Sequence, residues 1–133
     1  MDIIYKINTG ITAEEVAELF LKSGINRPCK DLPRIKKMLD SSNLTITAWI
    51  NEKLVGIARA LTDFCYCCYL SDLAVDKKHQ HKGIGKELIK RVQKEIGEDS
   101  MLLLLSAPGA MEYYPKVDFD IVNNGFIINR KSF

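Results

Sequence analysis

Two glycines, Gly83 and Gly85, follow Gln80 in the run Gln80-His81-Lys82-Gly83-Ile84-Gly85-Lys86. Glycine lets a backbone approach a ligand closely, because no Cβ stands between them. Where a helix starts at such a run, its first N–H groups lack partners within the helix and carry the positive end of the dipole, which suits phosphate oxygens. Gln80 and Lys82 could add side-chain contacts, the lysine being the more useful against phosphate charge; otherwise both are solvated loop residues. A second candidate lies just upstream. Asp72 sits in an apolar run, residues 69–75, in which Ser71 is the only other polar side chain. An ionised carboxylate there is costly unless it is paired or put to use. Desolvation would raise its pKa toward the range in which a general base works, and a structural hydrogen bond to backbone or to a lysine accounts for it equally well. His79 and His81 titrate near neutrality, but they belong to the phosphate side of the turn, the wrong end for a base.

The elements that must hold these groups are legible around them. Residues 69–75 read as a strand, residues 76–82 as a charged loop, and a helix follows. In that helix Ile84, Leu88, Ile89, Val92 and Ile96 fall on one stripe, while Lys86, Glu87, Lys90, Arg91 and Lys94 face water. Residues 101–106 form an apolar run bounded by Asp99-Ser100 and Pro108-Gly109, the pattern of a strand covered on both faces. Strand, helix, strand in this order predicts two parallel neighbours. The glycine spacing matches neither familiar fingerprint: residue 88 is leucine where Gly-x-Gly-x-x-Gly needs a third glycine, and no Gly-Lys-Ser/Thr is present.

Upstream, residues 2–7 read as a first, edge strand. Thr12 and Glu15 form a capping box ahead of a helix with Val16, Leu19 and Phe20 on one face, ended at Ser23-Gly24. Asp31 caps a second helix that tolerates Pro33 in its first turn. Residues 44–50 and 53–64 form a hairpin, in which Gly56 marks a bulge or a close packing neighbour. Arg59 reads as a surface charge paired with Asp63 on the same strand face, or as a carboxylate-recognition residue. Residues 107–116 read as a short helix stopped near Pro115, and residues 119–122 and 126–130 as two final strands joined by Asn123-Asn124-Gly125.

The 133 residues predict one domain with one substantial core. Nineteen basic against seventeen acidic residues give a net charge of +2, too small an excess to argue for nucleic acid or a membrane surface. The basic loop also lacks interleaved aromatics. No apolar run approaches a spanning helix and no secretory signal opens the chain, so cytoplasmic residence is the default. Cys65-x-Cys67-Cys68 does not match a two-plus-two zinc spacing and has no nearby histidine, so the cysteines read as buried small hydrophobes and no metal is expected.

Strand, Val75-Asp76 step, Gln80-x-x-Gly83-x-Gly85 turn and helix together resemble the Gln/Arg-x-x-Gly-x-Gly/Ala motif of the GNAT acyltransferases, whose turn cradles the coenzyme A pyrophosphate. The element order matches over nearly the whole chain. Tyr113-Tyr114-Pro115-Lys116-Val117-Asp118-Phe119 also resembles the family's Phe-Tyr-x-Lys-x-Gly-Phe segment at Tyr114, Lys116 and Phe119. It departs at Asp118, where the family has glycine, and Lys77 stands where the family often has proline; both touch turns rather than phosphate contacts. The resemblance implies an α/β (α+β) fold with a mixed, mostly antiparallel sheet, a splayed parallel strand pair and flanking helices. It also implies an N-acetyltransferase, moving acetyl from acetyl-CoA to a primary amine by direct attack in a ternary complex. Coenzyme contacts would come from Leu73, Ala74, Val75, Gln80, His81, Lys82, Gly83, Ile84, Gly85, Lys86, Ser106 and Tyr114. Tyr114 would protonate the leaving thiolate, with Asp72 as candidate base and Tyr113 in the core. The acceptor is a small-molecule or peptide amine. A catalytically silent acyl-CoA sensor on the same fold is the alternative, and the apolar terminal strand leaves room for a homodimer.

Overall fold

The computed structural model describes residues 2–133. Five strands form one sheet in the order β1-β2-β3-β4-β5: β1 Ile4–Ile7, β2 Leu44–Ile50, β3 Lys53–Thr62, β4 Cys67–Val75 and β5 Met101–Leu103. The first four are antiparallel neighbours, and β4 and β5 run parallel. This is the mixed sheet with one parallel pair that the pattern of elements implies, and β1 is an edge strand as expected.

Local chemistry sets the helices. In α1, Ala13–Ser23, the Thr12 hydroxyl accepts from the Glu15 N–H while the Glu15 carboxylate accepts from the Thr12 N–H, so the capping box is complete. Gly24 closes the helix at φ 83°, a left-handed conformation that glycine adopts without penalty. In α2, Leu32–Asp40, the Asp31 carboxylate accepts from the Arg34 N–H. The third helix, α3 Ile84–Ile96, buries Ile84, Leu88, Ile89, Val92 and Ile96.

The helices cover opposite faces of the sheet. Against α3 pack Ile46, Ala48, Ala58, Ala60, Cys68 and Leu70, whereas Val16, Leu19 and Phe20 of α1 and Ile35 of α2 pack with Ile57 and Ala74. Gly56 is the close approach expected of it: a Cβ there would meet Ile84 Cγ2 at 3.0 Å and Leu88 Cδ1 at 3.3 Å. Two register shifts mark the sheet, one at Ala48/Trp49 in β2 and one where Arg59 pairs with Asp72 but Ala60 pairs with Leu70. The second leaves Ser71 as an extra residue in β4, a bulge.

Several expectations fail beyond residue 103. Strand β5 stops at Leu103, and Met101 and Leu105 are exposed, so this run is not covered on both faces. Residues 107–116 form no α-helix. Two 3-10 turns, Pro108–Ala110 and Tyr114–Val117, stand in its place, each with a proline in its first turn and the first with glycine at 109, which favours a turn over a helix. The two final strands do not form; residues 119–133 are irregular, with Phe126 and Ile128 fully exposed. The cysteines divide as well. Cys68 is buried and Cys29 half-buried, but Cys65 is exposed on the β3–β4 loop and Cys67 is exposed at the start of β4.

Candidate active site

The turn between β4 and α3 has the features that phosphate binding needs. Gly83 is the N-cap residue of α3, at φ 80° and ψ 10°, and no side chain caps the helix. The opening N–H groups of α3 are therefore without a side-chain acceptor, and His81, Lys82 and Gly83 are exposed around them. A Cβ on Gly83 would meet nothing within 4 Å, so its glycine serves the positive φ and leaves open space outside. Gly85 differs. A Cβ there would fall 2.8 Å from the Tyr113 hydroxyl, so Tyr113 is no core residue: it is exposed and lays its hydroxyl against the first turn of α3. Gln80 is exposed and folds back on β4, its amide donating to the Val75 carbonyl at 3.1 Å, and Lys82 Nζ lies 3.1 Å from His79 Nδ1. Lys77, at the position where proline was the family habit, carries its Cε to within 2.9 Å of where a Gly24 Cβ would stand, beside the C-terminus of α1.

Strands β4 and β5 pair only at Cys67–Met101, Cys68–Leu102 and Tyr69–Leu103. Past Tyr69 they separate. Leu73, Ala74 and Val75 thus continue β4 with no β5 partner, while their other side stays paired with β3. The splay opens toward the Gly83–Gly85 turn, so a strand edge and a set of helix N–H groups lie end to end. Ser106 is past the end of β5, with its hydroxyl donating to the Ala107 carbonyl at 2.8 Å.

At the bulge, Asp72 is 1% exposed and each of its carboxylate oxygens accepts from a guanidinium. Arg27 Nε, from the loop between α1 and α2, donates to Oδ1 at 2.5 Å; Arg59 Nε, from β3, donates to Oδ2. The remaining guanidinium donors are used too: Arg27 to the Ser71 carbonyl at 2.7 Å, and Arg59 to Ser71 Oγ at 2.9 Å, Ser42 Oγ at 3.0 Å and the Met38 carbonyl at 3.3 Å. Arg59 is therefore a buried ion-pair partner rather than a surface charge on Asp63. Asp63 instead turns back on its own loop. It accepts N–H bonds from Cys65, Tyr66 and Cys67, which hold its carboxyl well below the ordinary carboxylate range. Asp72 has the structural partners that were one of its two readings, but they are arginines rather than a lysine. These contacts leave it poorly placed to collect a proton from a bound amine.

Tyr114 opens the 3-10 turn Tyr114–Val117 and stacks edge-on with Phe119 (ring centroids 5.5 Å) and Tyr113 (5.2 Å). Burial pushes its hydroxyl pKa up, the neighbouring Tyr113 pushes the same way, and the Arg27 charge pulls it down. Tyr114 thus feels the charge of the Asp72 cluster, which ties the turn to the β4 bulge. The residue ending this turn, Asp118, is at φ 72°, which explains the family's preference for glycine there. Among the described residues no group of three or more His, Cys, Asp or Glu side chains could hold a metal, and no helix is long and apolar enough to cross a membrane.

Residues 11–130 match the family model of the acetyltransferase (GNAT) domain, and the chain belongs to that family. It is 28% identical over 106 residues to an uncharacterized N-acetyltransferase, ycf52-like, of Prochlorococcus marinus, an alignment covering 75% of this chain and 58% of that protein. The chain thus spans little more than half the length of that relative. In fold it resembles a GNAT family acetyltransferase from Streptococcus pneumoniae, with TM-score 0.79 at 22% identity over 98% of this chain and 100% of that one. It also resembles the aminoglycoside N-acetyltransferase AAC(6')-Iy in complex with CoA, with TM-score 0.71 at 14% identity over 98% and 96%.

Proposed function

We propose that this domain transfers an acetyl group from acetyl-CoA to a primary amine. The observation that carries the reading is the continuity between the β4–β5 splay and the uncapped α3 N-terminus. A pantetheine arm carries two amides and needs an extended backbone edge, which β4 offers at Leu73 and Val75. A pyrophosphate needs converging N–H donors, which the turn at Gly83–Gly85 offers beside Lys82 and Lys86. The relative of known complex, AAC(6')-Iy, is a CoA-bound enzyme, and the turn of this chain suits the same ligand.

The reaction is direct attack of the amine on the thioester carbon. The carbon–sulfur bond breaks, and the departing thiolate takes a proton. We assign that donation to Tyr114, a role supported by the burial that keeps its hydroxyl protonated. Asp72 serves as a structural centre instead of a base, joining the α1–α2 loop, α2, β3 and β4 through Arg27 and Arg59, and the amine loses its proton to water. Acceptor selection falls to the α1–α2 side of the splay, where Arg27 stands half-exposed. A silent sensor would bind acetyl-CoA yet show no turnover. Release of free coenzyme A, measured with a panel of polyamines, aminoglycosides, amino acids, arylamines and lysine peptides, decides between them. Turnover with at least one amine is expected, and tight acetyl-CoA binding with none would overturn the enzymatic reading.

A further inference from the structure

Gly85 lacks the reason that Gly83 has. Its backbone is not left-handed, and glycine is a poor choice in a helix unless something needs the room that its missing side chain leaves. What uses that room is Tyr113. A Cβ on Gly85 would stand 2.8 Å from the Tyr113 hydroxyl, 3.7 Å from its ring carbon Cζ and 4.0 Å from Val75 Cγ2. The end of the ring therefore reaches the first turn of α3, beside the last residue of β4.

Those two elements form one wall of the splay, and Tyr113 belongs to the other. Pairing of β4 with β5 ends at Tyr69 and Leu103. From there residues 104–113 continue on the β5 side and residues 73–85 on the β4 side. Tyr113 reaches back from the first side to the second, so its side chain bridges the open mouth. An arm in van der Waals contact with both walls needs about 7–8 Å between them, twice the carbon spacing of about 3.5–4.0 Å. The Tyr113 ring lies within one such spacing of where a Gly85 Cβ would stand, so ring and arm exclude each other there. The segment that carries the ring is lightly held. Residues 107–113 are exposed apart from half-buried Ala110, and their backbone bonds are local: the Ala110 N–H donates to the Ala107 carbonyl, Tyr113 to Ala110 and Lys116 to Tyr113.

We propose that Tyr113 is the gate of the coenzyme passage: it closes the splay in the ligand-free chain and swings out before the pantetheine arm of acetyl-CoA can lie along β4. This rests on the coenzyme reading above and adds a residue to it. Gly85 then serves two occupants in turn, the tyrosine ring while the passage is closed and the coenzyme once it is open. The gate also reaches the chemistry. The rings of Tyr113 and Tyr114 meet edge-on at 5.2 Å, so opening removes one of the two aromatic neighbours of the assigned proton donor, while Phe119 keeps the other contact. Where the open form is the minor one, at about 0.1–10% of the population, binding is weakened by the reciprocal of that fraction, about tenfold or more. A gate that opens before the ligand enters places this loss in the association rate.

Surface plasmon resonance on the immobilised full chain, with acetyl-CoA in solution, separates association from dissociation. Tyr113→Ala should raise the association rate by at least about tenfold and leave dissociation unchanged. Tyr113→Phe keeps the ring and its stacking, so this variant folds, and it removes only the oxygen nearest Gly85. Its association rate should lie between those of the native chain and the alanine variant. An ordinary binding contact gives the opposite pattern, association unchanged and dissociation faster, and that result for either variant would overturn the gate. Three equal association rates would sink it as well. Failure of the native chain and both variants to bind acetyl-CoA at all is a different result: it would remove the coenzyme reading, and the gate with it.

Discussion

Asp72 on β4 and Arg59 on β3 are direct cross-strand partners, and their side chains form an ion pair in which the carboxylate is 1% and the arginine 7% exposed. Arg27 completes the arrangement from a loop 45 residues away in sequence. Breaking a buried pair by removing one partner leaves the other charge uncompensated, which costs about 3–5 kcal/mol. Asp72→Asn keeps the shape but leaves two guanidiniums facing a neutral amide. We expect a loss of that order by denaturant unfolding, together with retained curvature on the acidic limb of the pH–rate profile in whatever activity survives. A stable Asp72→Asn protein whose acidic limb has vanished would restore Asp72 as the base.

Gly83 tests the phosphate turn. Any side chain at its φ of 80° is strained by about 1–2 kcal/mol, so Gly83→Ala measures the strain and Gly83→Glu adds a charge. The open space outside the residue means that glutamate adds no clash. Calorimetry should show acetyl-CoA affinity lower for Glu than for Ala by at least tenfold, or about 1.4 kcal/mol. Equal affinities would remove the turn from the coenzyme site.

Tyr114→Phe deletes one oxygen and leaves the stacking on Phe119 and Tyr113 in place. Proton donation from a positioned side chain is worth about 10²- to 10⁴-fold, and single-turnover rates should fall in that range with acetyl-CoA affinity retained. Since burial raises the hydroxyl pKa, the acid form persists below that raised value and is lost as pH climbs through it. The alkaline limb of the native chain's acetyl transfer, on this assignment, should therefore lie above the ordinary tyrosine pKa of about 10. A limb below it, or a Phe variant at full speed, would exclude Tyr114 as the donor.

Asp118→Gly should stabilise the turn after Tyr114. The native residue is left-handed at φ 72°, and glycine relieves that strain while loosening the unfolded chain, a net gain of up to about 1 kcal/mol. A drop in melting temperature would mean that the Asp118 side chain holds the turn in some other way.

The sequence made the sheet's first four strands, the three helices and the phosphate turn readable, because each rests on a local signal: Thr12 with Glu15, the five-residue stripe of α3, the glycines around Ile84. What stayed hidden depended on register or on distant chain. Arg59 lies between Ala58 and Ala60 in a run of buried residues, and a charge in that position demands a carboxylate on a neighbouring strand. That signal pointed to Asp72, but pairing it required the register of a hairpin containing an extra residue. Arg27 gave no signal at all, since a loop arginine is normally solvated. Tyr113 was placed in the core from helical geometry, and two short 3-10 turns stand where that helix was expected. The apolar pattern of residues 119–130 was real, but a strand needs a partner, and their own chain leaves them without one.

Ser71 changes the parity of its strand. Before it, the even-numbered Cys68 and Leu70 point to α3; after it, Leu73 and Val75 take that side while Asp72 and Ala74 turn toward α1 and α2. A bulge thus works as a half-turn written into the chain by one residue of length. Deleting Ser71 would let Leu70 and Asp72 alternate regularly, leaving Asp72 to Val75 on the faces they already occupy and removing the carbonyl and hydroxyl that Arg27 and Arg59 bind. The extra residue thus brings two more acceptors to the guanidiniums beside the buried carboxylate without disturbing the inside–outside pattern on either side of it.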